Sequence, residues 1–315
     1  MLFSAFSLLL ALLPSIGIRP FSQTSDRVIV VRGVEAHGQE EGDRITIPLV
    51  NHESGGMPRR LPGVRRPEPE AKSALVIHKP SGAILYAKNR DVVRPIASLT
   101  KLMTAFVVTE RIQDQEREVT VTRVDDAKSG RLFVSPGERL SVKDLLYMSL
   151  VASANDATLA LSRASGLTRQ EFVRVMNARA RALGLNHTRF TDPTGLAASN
   201  VSTATEIARL LSVVLEQSLL RQALHTKEYQ YATLDEARKG IVTTTNKLLG
   251  KSSMAVLGGK TGYIDESGYN LAVEARGRNG EDFIVVILGA PRENDRFSEA
   301  EELVRWAEKA WNFSH

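Results

Sequence analysis

A chain of 315 residues with 43% hydrophobic content can bury a large core and hold one or two domains. It contains no cysteine, which excludes disulfides, thiol catalysis and cysteine-ligated metal sites together. The formal net charge of +5 admits an anionic partner without identifying one.

The opening MLFSAFSLLLALLPSIGI is a continuous apolar run of signal-peptide or short-anchor length, with a small-x-small cleavage site at Ser15 to Gly17. Residues 1–20 are therefore expected to direct export. No Lys or Arg precedes the run and Arg19 follows it, so an uncleaved anchor is the alternative. Residues 21–72 include GGMPRRLPGVRRPEPEAK, where Arg59, Arg60, Arg65 and Arg66 sit among Pro and Gly punctuation. That composition reads as a disordered, solvated tether, suited to a membrane or other surface of negative charge.

Residues 73–315 read as one folded domain. The runs ALVIHK and GAILYAK flank Pro80 to Gly82 and predict a hairpin. In RPIASLTKLMTAF, Leu99, Leu102, Met103, Phe106 and Val107 recur at helical spacing. A longer helical region runs from about Ser141 to Leu215, broken by ASGL and GLNHTRFTDPTGL. MAVLGGKTGYI, YNLAVEARGR and DFIVVILGA, separated by DESG and RNGE, predict an antiparallel meander. A last amphipathic helix is expected from about Arg296 to Trp311. Strands at both ends with helices between them imply a mixed α/β domain: one antiparallel sheet, a helical insertion, and a cleft where the two meet.

Three short motifs lie on these elements. Lys101 follows Ser98 by one helical turn, so the two side chains can meet. A lysine kept neutral by burial and by a like charge is a base beside a nucleophile. The alternative is a lysine snorkelling from an ordinary helix. Ser153-Ala154-Asn155 falls at a break in the helical region, where a plain helix cap is the competing reading. Lys260-Thr261-Gly262 lies on a predicted strand; a phosphate loop would need a glycine where Met254 stands and a helix afterwards, which disfavours nucleotide binding.

S-x-x-K, S-x-N and K-T-G in that order match the signature set of penicillin-binding proteins and class A β-lactamases. With RPIASLTKLMTA, KDLLYMSLVASANDA, MNARARALGLNHTRFTDPTGL, NVSTATEIARLL and GGKTGY, the chain resembles the low-molecular-mass penicillin-binding D,D-peptidases from about Ala74 to Trp311. Within them it is most similar to the D-alanyl-D-alanine endopeptidase group of the penicillin-binding protein 7 type. The resemblance implies a β-lactamase/transpeptidase-like fold, with the sheet flanked by helices and an all-helical subdomain. It also implies hydrolysis of D-alanine-containing bonds in peptidoglycan stem peptides through an acyl-serine, and covalent inhibition by β-lactams. Ser98 is then the nucleophile, Lys101 its base and Ser153 the proton relay to the leaving amine. Asn155 holds Lys101 and a substrate amide, Lys260 and Thr261 bind a carboxylate, and the N–H groups of Ser98 and Tyr263 form the oxyanion hole. Gly262, between Thr261 and Tyr263, completes that strand's substrate-binding set. Arg296, after the last strand, resembles a family arginine that helps bind a terminal carboxylate, with a plain surface cation as the alternative. Asn246 resembles a recurring position near the cleft and receives no role.

His37, His52, His78, His187, His225 and His315 show no metal-ligand spacing, so neither metal nor cofactor is expected, and no nucleic-acid partner. A class A β-lactamase would need an E-x-x-L-N segment, whereas Glu171 is followed by Phe-Val-Arg. A penicillin sensor would be joined to a membrane bundle, and the chain shows one short apolar segment. About fifty residues follow Lys260, enough for two strands and a helix, which within the resemblance points to the endopeptidase-like group over carboxypeptidases with a further β-rich domain.

Overall fold

The computed structural model describes residues 57–127, 131–250 and 254–313. The apolar run and most of the expected tether lie outside them. Five antiparallel strands form the main sheet, in the order Ala255–Ile264, Gly268–Arg276, Asp282–Ala290, Ser73–His78, Ile84–Lys88. The expected hairpin and meander are thus joined side by side, with Val285 opposite Val76. The strand carrying Lys260 is left at the sheet edge.

Both sheet faces are covered, which is why SALVIH and DFIVVILGA read as apolar runs without alternation. Leu75, Ile77, Ile284, Val286 and Leu288 face the helical part, while Ala74, Val76, Phe283, Val285 and Ile287 face the C-terminal helix. The helices are α1 (Thr100–Arg111), α2 (Val142–Val151), α3 (Asn155–Ala164), α4 (Arg169–Ala182), α5 (Ala204–Glu216), α6 (Ser218–His225) and α7 (Asp295–Ala310). Helix α1 is surrounded by α2, α3, α4 and α5. Its side chains are therefore buried nearly all round, Lys101 among them. Ser141 and Thr168 start α2 and α4 with reciprocal capping boxes to Asp144 and Glu171.

Two features depart from expectation. The basic segment 57–72 is seated on the domain: Arg59–Arg60 pairs with Trp311–Asn312, and the Glu299 carboxylate accepts from the N–H groups of Glu70 and Ala71. Arg66 lies over the Tyr86 ring at 4.6 Å. Pro and Gly prevent a helix there but permit extended backbone on an exposed edge, where Arg60 and Arg66 lie over the Trp306 and Tyr86 rings. The second departure is α6 and the hairpin Glu228–Ala232/Lys239–Thr243, in a stretch to which no element was assigned. Its strands are short and mostly solvent-facing, so they carry little apolar pattern.

Candidate active site

The cleft lies where α1, the turn between α2 and α3, the Asp192–Asn200 loop and the edge strand converge. Ser98 sits in a single 3-10 turn, Ala97–Leu99, that leads into α1. Ala97 has φ of +48°, an uncommon conformation for a residue with a Cβ. Two glycines hold this turn from opposite sides. A Cβ on Gly195, whose own φ is +87°, would fall 2.0 Å from the Ala97 carbonyl oxygen. One on Gly262 would fall 2.8 Å from the Ile96 carbonyl oxygen and 3.1 Å from the Ser98 nitrogen. Backbone thus presses on the turn from the loop and from the strand, and leaves the Ser98 hydroxyl facing the cleft.

Lys101 Nζ lies 2.9 Å from Ser98 Oγ, 2.7 Å from Asn155 Oδ1 and 2.7 Å from the Thr194 carbonyl oxygen. A neutral amine has two hydrogens and one lone pair. The Thr194 carbonyl and the Asn155 amide oxygen can only accept, so they take the two hydrogens. The lone pair is left directed at the Ser98 hydroxyl, the one partner that can donate. Burial drives the Lys101 pKa down from 10.5 to about 7, against the opposing pull of Asp192 and Asp156. The displacement corresponds to about 5 kcal/mol in favour of the free base.

The expected depression of Lys101 by Lys260 does not set this value. Lys260 is itself fully buried and lies well below the ordinary lysine range, first from desolvation and then from the charges of Lys101 and Arg296. The charge of Lys101 thus contributes to the depression at Lys260, whereas burial is the leading cause at Lys101. Lys260 Nζ donates to Ser153 Oγ at 2.9 Å and to the Thr261 carbonyl at 3.0 Å.

Ser153 occupies the turn between α2 and α3 with φ of +60°. Asn155 opens α3 with no side-chain cap on that helix, so the pair does not act as a helix cap. Thr261 Oγ1 is 2.5 Å from Thr245 Oγ1, and Thr245 is held by its N–H donating to the Val151 carbonyl. Tyr263 is exposed, stacked on Tyr269, and its hydroxyl donates to Asp265. Arg296 is buried and donates from Nη1 to the Gly262 carbonyl at 3.2 Å, with its guanidinium over the Tyr269 ring. The surface-cation reading of Arg296 does not fit that burial. Asn246 is buried close by, its Oδ1 accepting from the Leu248 N–H.

The structure thus brings Ser98, Lys101 and Asn155 into one hydrogen-bonded group, and Lys260, Ser153 and Thr261 into a second beside it. Three contributors were not singled out from sequence. Thr194 acts through its carbonyl. Asp192 builds the loop that presents it, accepting from the N–H groups of Thr194, Gly195 and Ala197. Asn200 braces Asp192 and bonds Thr100 at the start of α1. The visible signal was DPTG, an Asx-turn pattern. Glu171, examined as a deacylating glutamate, is occupied in capping α4 through Thr168.

Chemically, the arrangement offers a hydroxyl nucleophile on a neutral amine, a second lysine beside a relay-capable serine, and a strand edge on which an extended peptide can lie. The sequence profile described as D-alanyl-D-alanine carboxypeptidase matches residues 62–292. A D-alanyl-D-alanine endopeptidase of Pseudomonas aeruginosa is 34% identical over 238 residues, covering 75% of this chain and 76% of that protein. The D-alanyl-D-alanine endopeptidase of Escherichia coli is 31% identical over 245 residues, covering 77% and 79%. The crystal structure of the Streptomyces K15 DD-transpeptidase superposes with a TM-score of 0.72 at 28% identity, over 78% of this chain and 100% of that one.

Proposed function

The chain belongs to the D-alanyl-D-alanine carboxypeptidase family, and on that premise we propose that it is a serine D,D-peptidase acting on peptidoglycan stem peptides, with crosslinks as its preferred substrate. The observation that carries the reading is the partner set of Lys101, which leaves its lone pair no acceptor role other than toward Ser98. Ser98 Oγ transfers its proton to Lys101 as it adds to the carbonyl carbon of the D-alanine. The oxygen that gains charge is taken by the N–H groups of Ser98 and Tyr263. Ser153 gives its proton to the departing nitrogen and is reprotonated from the lysine pair. Water then adds to the ester with Lys101 again as base, and Ser98 is released. A β-lactam enters the same first step, and its ring-opened product stays on Ser98.

The leaving residue carries a carboxylate next to the scissile nitrogen. Thr261 and the fixed charge of Arg296 suit it, and its approach returns Lys260 toward the ammonium form. Asn155 has its amide nitrogen left for a substrate carbonyl. Both relatives named above are D-alanyl-D-alanine endopeptidases, which supports crosslinks over free pentapeptides. Export to the cell-wall space is supported by the apolar run in residues 1–20; no described helix is long and apolar enough to cross a membrane.

The test compares kcat/KM on a purified crosslinked muropeptide dimer and on a monomeric pentapeptide, with a chromogenic cephalosporin in parallel. The dimer is expected to be cut faster. A tenfold preference for pentapeptide, about 1.4 kcal/mol, makes the protein a carboxypeptidase. Rapid cephalosporin turnover with neither peptide cut makes it a β-lactamase.

A further inference from the structure

A groove lined by α3 lies next to the cleft. Leu159 lies one turn past Asn155, about 6 Å along the helix axis, and Arg163 about 12 Å. One cavity of about 580 Å³ is bounded by Leu159, Val124, Arg123 and Arg169 on one side and by the Asp192–Ala197 loop on the other. Thr194, whose carbonyl accepts from Lys101, is part of that wall. A second cavity of about 310 Å³ shares Val124, Leu159 and Arg169 and continues toward Ser162 and Leu167. The two cavities share a wall, and the first reaches the Thr194 segment that contacts Lys101, so together they offer room for several residues of extended peptide next to the catalytic cleft.

The groove's chemistry is selective. The apolar surface is small: Leu159 forms the floor, and the exposed Val124 and Leu196 form the rims. Short aliphatic side chains fit it, whereas a large aromatic has no deep pocket to fill. Among the described residues, neither Arg123 nor Arg169 has an ion-pair partner. The nearby acids are largely committed. Asp125 is held by Arg163 at 2.8 Å, and Asp192 accepts from the amides of its own loop. Asp126 stands at the rim. The groove therefore presents two arginine heads to a ligand that carries carboxylates on a backbone of small residues.

We propose that this groove is the subsite for the second stem peptide of a crosslink, a carboxylate-bearing peptide of short side chains, with Arg123 and Arg169 as its specificity determinants. The proposal rests on the crosslink reading above. It supplies what that reading lacks, a place for the part of the substrate that a pentapeptide does not have.

The test uses Arg123→Glu/Arg169→Glu and Arg123→Lys/Arg169→Lys on the full chain. Both positions are exposed, so the fold should persist. Three rates are read: acylation by benzylpenicillin, hydrolysis of a diacetylated Lys-D-Ala-D-Ala tripeptide, and cleavage of a crosslinked dimer. The reversal variant should lose tenfold or more in kcat/KM on the dimer and change the other two rates less than twofold, while the lysine variant keeps most dimer activity. Unchanged dimer cleavage in the reversal variant overturns the subsite and leaves the crosslink reading standing. An equal fall in all three rates also overturns it, because the effect then lies at Ser98. A wild-type protein that is acylated but does not cut the dimer removes both readings.

Discussion

The pH profile of acylation follows from the Lys101 environment. The pKa near 7 arises from complete burial, and the acceptors Asn155 Oδ1 and the Thr194 carbonyl keep the lone pair aimed at Ser98. At pH 6 about one Lys101 in eleven is neutral, and at pH 8 about ten in eleven. Second-order acylation by a fluorescent penicillin should therefore rise about tenfold from pH 6 to 8 and then level off, changing by only about a tenth from pH 8 to 9. A lysine left at its ordinary value would give about a hundredfold rise over the first interval and a further tenfold over the second. Stopped-flow labelling across pH 5.5–9.5 distinguishes the two, with circular dichroism at each end to show that the fold persists. Lys101→Arg should be nearly inactive throughout, since a guanidinium stays protonated. A flat profile, a rise that continues through pH 9, or an active arginine variant would refute the assignment of Lys101 as the base.

Two further outcomes follow. The folded pKa of Lys101 is depressed, so between about pH 7 and 10 the unfolded chain binds more protons and the native state gains stability as pH rises; relative to Lys101→Met, the wild type should gain about 2 kcal/mol between pH 7 and 9 in denaturant titrations, and an unchanged difference would contradict the burial argument. Gly195→Ala should cost about 1–3 kcal/mol of stability and at least about a hundredfold in acylation, because its Cβ collides with the Ala97 carbonyl that positions Ser98; Gly166→Ala, at a similar φ of +80° with nothing within 4 Å, should cost stability alone.

The fold was legible because its patterns are local. The hairpin at Pro80–Gly82 and the meander after Met254 are punctuated by turn residues, and α1 repeats its apolar positions every turn. Residues 57–72 of the expected tether were misjudged because composition reports what a segment cannot form, and Arg59–Arg60 pairing with Trp311–Asn312 is a contact across the length of the domain. In the site, short motifs named Ser98, Lys101, Ser153, Asn155 and Lys260, whose side chains the structure brings together. What sequence could not show was the Thr194 carbonyl, since every residue has one and only the Asp192 loop aims this one. The left-handed backbone at Ala97 and Ser153 was equally silent, because both are residues that rarely adopt it. The expected role of Lys260 in lowering the Lys101 pKa was overstated, since sequence does not report the complete burial that is its leading cause.

The account turns on Ser98 forming an ester with its substrate. The most direct measurement is peptide mapping by mass spectrometry after exposure to benzylpenicillin, on the wild type and on a folded Ser98→Ala variant. The account predicts a single penicilloyl adduct on the peptide that contains Ser98, and none on the variant. An adduct on Ser153 or any other residue, or an adduct that persists in the Ser98→Ala protein, would contradict it.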